Sequence, residues 1–219
     1  MIPPEQNAEF VYRMEQVLDI YHRPFDPDHP VICMDESPNQ LIGDITPSYR
    51  TKDIGKRSDY EYVRNGVASI FLACNPLVGW RKVEVFDSHK TADWVAFIYS
   101  VFLHFINAKK ITLILDNLST HKPAAFYEYY QPELAKKILD KINFVYTPKH
   151  GSWLNIAEIE LNVLKGQCLS RRIKDKQTII EQVEQWQKYR NETSSQVDWQ
   201  FSTTDARIKL KRLYPKIAC

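Results

Sequence analysis

Short apolar runs alternate with longer amphipathic stretches along this chain, and that rhythm predicts most of its elements. Phe10, Val11, Met14, Val17, Leu18 and Tyr21 recur at helical spacing, so a helix is expected from Asn7 to Tyr21, stopped by Pro24, Pro27 and Pro30. The run from Val31 to Met34 is short, β-branched at its start and bounded by proline, which marks a buried strand. Val67 to Cys74 and Lys82 to Phe86 read as two further strands, joined through Asn75-Pro76-Leu77-Val78-Gly79 in a connection short enough for a hairpin. Ala92 to Ile106 carries a broad apolar face and is too long for a strand, so it is expected to be a buried helix.

Ile111 to Asp116 is the next strand. Helical sequence follows from Pro123 to Lys141, interrupted at Pro132, and a last strand runs from Asn143 to Tyr146. Ser152 then stands as the natural N-cap of a helix from Trp153 to about Cys168. Between Ser37 and Arg64 the residues turn polar, charged and turn-forming, so this segment is expected to be an extended loop or irregular excursion. Strands followed by alternating helix and strand predict an α/β fold, a mixed sheet covered by helices. The 219 residues suffice for one such core, expected as a single domain over 1–219 with a helical lead-in at 1–30 and a basic helical region at 170–219.

Composition changes this picture little. The chain is 44% hydrophobic and 26% charged, and a net charge of +2 is too mild to identify a nucleic-acid protein in bulk. Distribution says more: Lys165, Arg171, Arg172, Lys174 and Lys176 fall close together, and Arg207, Lys209, Lys211, Arg212 and Lys216 crowd the C-terminus with only Asp205 among them. On charge alone, two solvated helix faces explain these clusters equally well. The four cysteines show no paired spacing, which suggests neither a zinc site nor a disulfide framework and fits a reducing cytoplasm. The N-terminus has no basic segment followed by an apolar stretch, and no apolar run approaches membrane-spanning length, so a soluble, unexported protein with no membrane partner is expected.

Three acids carry the candidate chemistry: Asp35 after Val31-Ile32-Cys33-Met34, Asp116 after Ile111-Thr112-Leu113-Ile114-Leu115, and Glu158 within Trp153-Leu154-Asn155-Ile156-Ala157-Glu158. A carboxylate at the end of a buried strand costs desolvation unless it is paired, hydrogen-bonded or bound to a cation, and a divalent metal serves two such strand ends at once. At roughly 100° per residue, Asn155, Glu158, Asn162 and Lys165 share one polar stripe, whereas Glu160 projects among Trp153, Ile156, Val163 and Leu164 as an isolated acid. Glu36 and Asp44 read first as surface acids, and second as acids that support the metal ligands from behind. Trp153 is expected to anchor its helix in the core more than to stack on a DNA base.

The segments Met34-Asp35-Glu36, Leu115-Asp116-Asn117-Leu118-Ser119-Thr120-His121 and Tyr146-Thr147-Pro148-Lys149-His150-Gly151-Ser152-Trp153-Leu154-Asn155-Ile156-Ala157-Glu158 resemble the catalytic core of bacterial insertion-sequence transposases of the six-thirty family, related to the eukaryotic mariner elements. The tail from Trp199-Gln200-Phe201 to Ala206-Arg207-Ile208-Lys209-Leu210 resembles them too. This resemblance implies a ribonuclease-H-like mixed five-stranded sheet with helices on both faces, the first acid on the first strand, the second on the fourth and the third on a following helix. Asp35, Asp116 and Glu158 are then the catalytic and metal residues, expected to hold two Mg²⁺ or Mn²⁺ ions through hard oxygen ligands.

Asn117, His121 and Asn155 are supporting candidates, while His150 reads equally as a loop residue. Lys165, Arg171, Arg172 and Lys174 are the candidate contacts to DNA phosphates.

Two departures from the family pattern shape the expectations. Nothing ahead of Asp35 is long enough for a helix-turn-helix module, so recognition of element ends is expected from a separate chain or an upstream reading frame, or is lost. Asp116 and Glu158 stand 42 positions apart, more than in the best-known mariner relatives, and helix over Ala124 to Asp140 absorbs the difference. The reading is therefore a metal-dependent transposase domain acting on double-stranded DNA and self-associating in a transposition complex. Two alternatives stand beside it: a non-catalytic DNA-binding or assembly protein derived from such a core, and a ribonuclease-H-like nuclease unrelated to transposition.

Overall fold

A computed structural model of the chain describes residues 6–45, 49–51, 55–57 and 61–216. Helix α1 (Ala8–Tyr21) starts at Asn7, whose side chain accepts from the Phe10 amide at 2.9 Å. Strand β1 (Val31–Asp44) follows, then the short pair β2 (Tyr49–Thr51) and β3 (Gly55–Arg57), then β4 (Tyr62–Asn75) and β5 (Trp80–Phe86). Helix α2 (Thr91–His104) crosses to β6 (Ile111–Leu115). A single 3-10 turn at Pro123–Ala125, α3 (Phe126–Tyr129) and α4 (Pro132–Lys141) lead to β7 (Ile142–Tyr146), with the helical stretch broken before Pro132 as its ring requires. Helices α5 (Ile156–Cys168), α6 (Lys176–Glu192) and α7 (Thr203–Lys209) complete the chain.

Five strands form one mixed sheet in the order β5-β4-β1-β6-β7. The antiparallel half, β5-β4-β1, is a meander, and the parallel half, β1-β6-β7, is built by helical crossovers. Period-two alternation sorts the side chains of β1 onto opposite faces. Val31 and Cys33 join α1, α5 and α6 in one core, where Met14, Leu18, Ile156, Leu164 and Val183 are buried. Ile32 and Met34 join α2, α3 and α4 in the other, with Trp94, Phe97, Phe102 and Phe126. Helices therefore cover both faces, and this mixed five-stranded arrangement is the ribonuclease-H-like fold.

Two expectations are corrected. The loop expected from Ser37 to Arg64 is largely strand: β1 runs nine residues beyond Asp35 and pairs with β4 as far as Asp44 opposite Tyr62. In the outer part of this ribbon Leu41 is buried but Tyr62, Val63 and Val67 are 42–47% exposed, so there is little apolar alternation to read. A bulge interrupts the ribbon where Leu41 faces Asn65 and Gly66, and Gly66 takes the positive φ of 101° that such a kink requires. The parts of the expected loop at 46–48, 52–54 and 58–60 lie outside the described residues. The second correction is the start of α5: Ser152–Leu154 forms one 3-10 turn, and the N-cap is Asn155.

Glu160, the isolated acid of α5, fixes that helix against the sheet. Buried Arg81 on β5 donates to it twice, at 2.6 and 2.9 Å, and Arg190 on α6 adds contacts at 3.0 and 3.2 Å. Arg81 also donates to the Gly79 and Ser195 carbonyls, so four of the N–H groups of its guanidinium are used in a site sealed from water. Burial would raise the Glu160 carboxyl, but the two guanidinium groups outweigh it and hold the group below the ordinary carboxylate value. Removing Arg81 strands a buried carboxylate on its weaker partner. Arg81→Ala is therefore expected to lower unfolding free energy by about 3–5 kcal/mol, and Arg190→Ala by clearly less, in urea titrations at neutral pH.

Candidate active site

The register of the central strands brings two acids together. In the parallel β1–β6 pair, Val31 aligns with Thr112, Ile32 with Leu113 and Cys33 with Ile114. Two residues further along each strand stand Asp35 and Asp116, level with each other and on the same face as Cys33 and Ile114. That face is the one α5 covers. Asn155 sets the helix in place: its Oδ1 accepts from the Ala157 amide at 3.2 Å, and its Nδ2 donates to the Met34 carbonyl at 2.9 Å, beside Asp35. The Tyr21 hydroxyl seals the same junction by donating to the Leu154 carbonyl at 2.7 Å. Glu158 follows in the first turn of α5, where the helix dipole favours negative charge.

Asp35, Asp116 and Glu158 thus line one cleft of about 260 Å³, with Glu36, Asn155 and Lys165 among its walls. Negative charge there is under-compensated. Burial first, then the charges of Asp116, Glu36 and Glu158, push the Asp35 carboxyl up to about 7, against a single hydrogen bond from the Glu36 amide that lowers it. Asp116 Oδ1 and Glu158 Oε2 are buried without a hydrogen-bond partner. Hard carboxylate oxygens with open lone pairs, crowded by like charges, are a donor set suited to Mg²⁺ or Mn²⁺.

His121 supplies the nearest positive charge. Its ring is 1% exposed, with Nδ1 2.8 Å from Asp116 Oδ1 and Nε2 3.2 Å from Glu36 Oε2. Both are ion-pair distances whose angles miss those of a hydrogen bond; the hydrogen-bond angle at Nδ1 is met instead by the Asp116 carbonyl at 3.4 Å. Burial opposes the charged imidazole, but Asp116 and Glu36 outweigh it and push the group up to about 9. Glu36 is consequently no surface acid: its side chain is 6% exposed, which corrects the expectation from sequence.

The other candidates are placed as follows. Asn155 is the buried cap just described. Asn117 is exposed and lines a second cleft, of about 290 Å³, which shares Asp116 and Ser152 with the first and is walled by Lys149 and His150. His150 has a positive φ of 66°, a backbone state uncommon outside glycine, in the tight turn before Gly151. Lys165 lines the acidic cleft itself. Arg171, Arg172 and Lys174 lie apart from it, on an extended segment strapped to β1 by the bond from the Ile42 amide to the Ile173 carbonyl at 2.7 Å. Arg172 there contacts Asp44 at 2.8 Å and lies over the Tyr62 ring. Trp153 packs edge-on against Phe201, a core role.

Residues 30–180 match the family described as DDE superfamily endonuclease. Among solved structures, the fold resembles the Mos1 transposase paired-end complex with the left transposon end, at a TM-score of 0.58 and 12% identity over 98% of this chain and 66% of that one. The Mos1 mariner paired end complex with Mn aligns at 0.54 and 13% identity, covering 88% and 60%. The corresponding complex with Mg aligns at 0.54 and 11%, covering 99% and 66%. The chain thus spans 60% of the mariner chain in the Mn complex and 66% of the chain in each of the other two. No curated protein sequence matches it.

The raised Asp35 group has a consequence for stability. The folded protein holds this proton up to about pH 7, whereas the unfolded chain releases it near the ordinary value of 3.8, so the folded state loses relative stability as pH rises between those values. In chelator, Asp35→Asn is expected to gain steadily on the wild type from about pH 4 to about pH 7, by on the order of 1–3 kcal/mol, and then to level off. Urea unfolding across that range measures the difference, and adding Mn²⁺ should reverse its sign.

Proposed function

The chain belongs to the DDE superfamily of endonucleases, and from that premise we propose that it is the catalytic domain of an insertion-sequence transposase, cutting DNA at element ends by hydrolysis and joining the freed 3′-hydroxyl to target DNA at the same site. The observation that carries this reading is the convergence of Asp35, Asp116 and Glu158, from three separate elements, on one cleft where Glu158 Oε2 is buried without a hydrogen-bond partner. These three residues would hold two Mg²⁺ or Mn²⁺ ions; when bound, such ions supply an activated nucleophile at neutral pH and offset the charge on the departing oxygen. The presence of Mn and Mg in the two mariner complexes supports that choice of ion.

The chain's own residues position the reaction. Asn155 keeps the first turn of α5 against β1, so that Glu158 meets Asp35 without a hinge between them. His121 holds Asp116 from behind, with Nδ1 2.8 Å from its Oδ1. Lys165, a half-buried cation two turns along α5 from Glu158, takes a phosphate oxygen next to the one being cut. Asn117 and Lys149 line the neighbouring cleft and extend the track for the backbone. Arg171, Arg172 and Lys174 meet the DNA further out, along the β1–β4 ribbon.

Double-stranded DNA is the partner, and self-association pairs two ends, a reading supported by the paired-end assemblies of the mariner neighbours. A helix-turn-helix unit that recognises the end sequence is proposed as a further partner of this domain. In a bacterial cell the protein would work on DNA in the cytoplasm.

The decisive assay is Mn²⁺-dependent nicking of plasmid DNA by the full chain beside Asp35→Ala, Asp116→Ala and Glu158→Ala. All three variants are expected to fall to background while retaining DNA binding; wild-type protein that binds but never nicks, with or without an added end-binding chain, would transfer the reading to an assembly protein. Lys165→Ala with Arg171→Ala is expected to flatten the slope of log affinity against log salt by about two units, one for each phosphate left without its cation. Fluorescence anisotropy from 50 to 200 mM salt, with Ca²⁺ in place of Mn²⁺, reads that slope.

A further inference from the structure

Strand alternation turns Glu36 away from Asp35, toward the face of the sheet that α2 covers. Its carboxylate is nevertheless in the site, because His121 reaches around the end of the sheet to meet it. One imidazole touches both acids, Glu36 through Nε2 at 3.2 Å and Asp116 through Nδ1 at 2.8 Å. The ring is held from other sides too. Trp94 stacks on it, with centroids 5.3 Å apart and planes at 22°, and the Tyr146 hydroxyl donates to the His121 carbonyl at 3.0 Å. Removing Glu36 would leave the ring stacked but free to rotate about its own axis, and Nδ1 would lose its fixed aim at Asp116.

We infer that Glu36 is a positioning residue, acting through His121 to hold the Asp116 carboxylate in the orientation that binds metal. The inference rests on the proposed metal-dependent function of the same cleft. Glu36, Asp116 and His121 also lie close enough together to be considered a metal site in their own right. The imidazole argues against that: it presents opposite nitrogens to the two carboxylates, so no single ion can replace both contacts. Residues that orient a metal ligand in this way typically contribute about 10- to 100-fold in metal affinity or activity.

The test is Mn²⁺ binding by the full chain, followed by the electron paramagnetic resonance signal of the unbound ion. Glu36→Ala is expected to weaken binding about 10- to 100-fold, and Glu36→Gln, which keeps an oxygen acceptor for Nε2, to recover most of it. In a His121→Ala background, removing Glu36 is expected to cost nothing further, because the effect passes through the ring. Glu36→Asp, which keeps the charge but shortens the reach by one methylene, should also bind Mn²⁺ more weakly and guards against misfolding of the alanine variant.

Wild-type affinity in folded Glu36→Ala or Glu36→Asp would overturn the inference. A full Glu36 effect persisting without His121 would overturn it as well, by making Glu36 a ligand. Asp35→Ala, Asp116→Ala and Glu158→Ala in the same titration separate the two levels. If they lose Mn²⁺ while Glu36→Ala keeps it, only the positioning role fails; if they too bind like wild type, the metal reading fails with it.

Discussion

The parallel register between β1 and β6 is the constraint on which the site depends. Because side chains alternate with period two, a slip of one residue would turn Asp35 to the opposite face from Asp116. The register is held by apolar packing on both faces at once: Val31, Cys33 and Ile114 in one core, Ile32, Leu113 and Leu115 in the other. Neither acid has a part in choosing it. The chemistry is imposed on a register that hydrophobic burial has already fixed, which is how a fold can hold two like charges side by side.

Two glutamates on one helix show how that repulsion is distributed. Glu160 is 2% exposed and saturated by two guanidinium groups, whereas Glu158, two positions earlier, keeps an unpartnered oxygen in the acidic cleft. Two residues turn the helix by roughly 200°, so the two side chains leave on nearly opposite sides. The Arg81–Glu160–Arg190 cluster ties α5 to β5 and α6, and Asn155 ties its start to β1. Held at both points, α5 cannot swing away to relieve the crowding around Asp35. Strain of this kind is tolerated at a binding site when the surrounding structure over-determines the geometry.

Much of this was legible in the sequence, for reasons that vary by element. The stretches leading into Asp35 and Asp116 announced themselves because both of their faces are buried, and α2 because its apolar face is broad. The β1–β4 ribbon did not, since an exposed two-stranded arm leaves no burial pattern to read. Ser152 was a sound cap by residue type, but the closure of Tyr21 onto Leu154 and of Asn155 onto Met34 is tertiary and moved the helix start. Glu36 looked like a surface acid because its partner, His121, is 85 positions away; the adjacent pair Asp35-Glu36 was the only hint, with alternation sending the two to opposite faces of one strand.

Alternation and helical pitch together give the site a direction. Along α5 the exposed stripe runs from Glu158 through Asn162 to Lys165, about 10 Å at 1.5 Å per residue, so that charge changes from negative to positive along a single rigid helix. On the other side of Asp116 the adjoining cleft carries Lys149 and His150 and, among the described residues, no acid besides Asp116 itself. The acids are therefore concentrated between two flanks that bear cations. A polyanion laid across this surface would meet repulsion only in the middle, at the carboxylates, and attraction on both flanks. On the proposed reading, metal and DNA would each favour the binding of the other, because divalent cations at the carboxylates would remove the central repulsion that a phosphate otherwise meets.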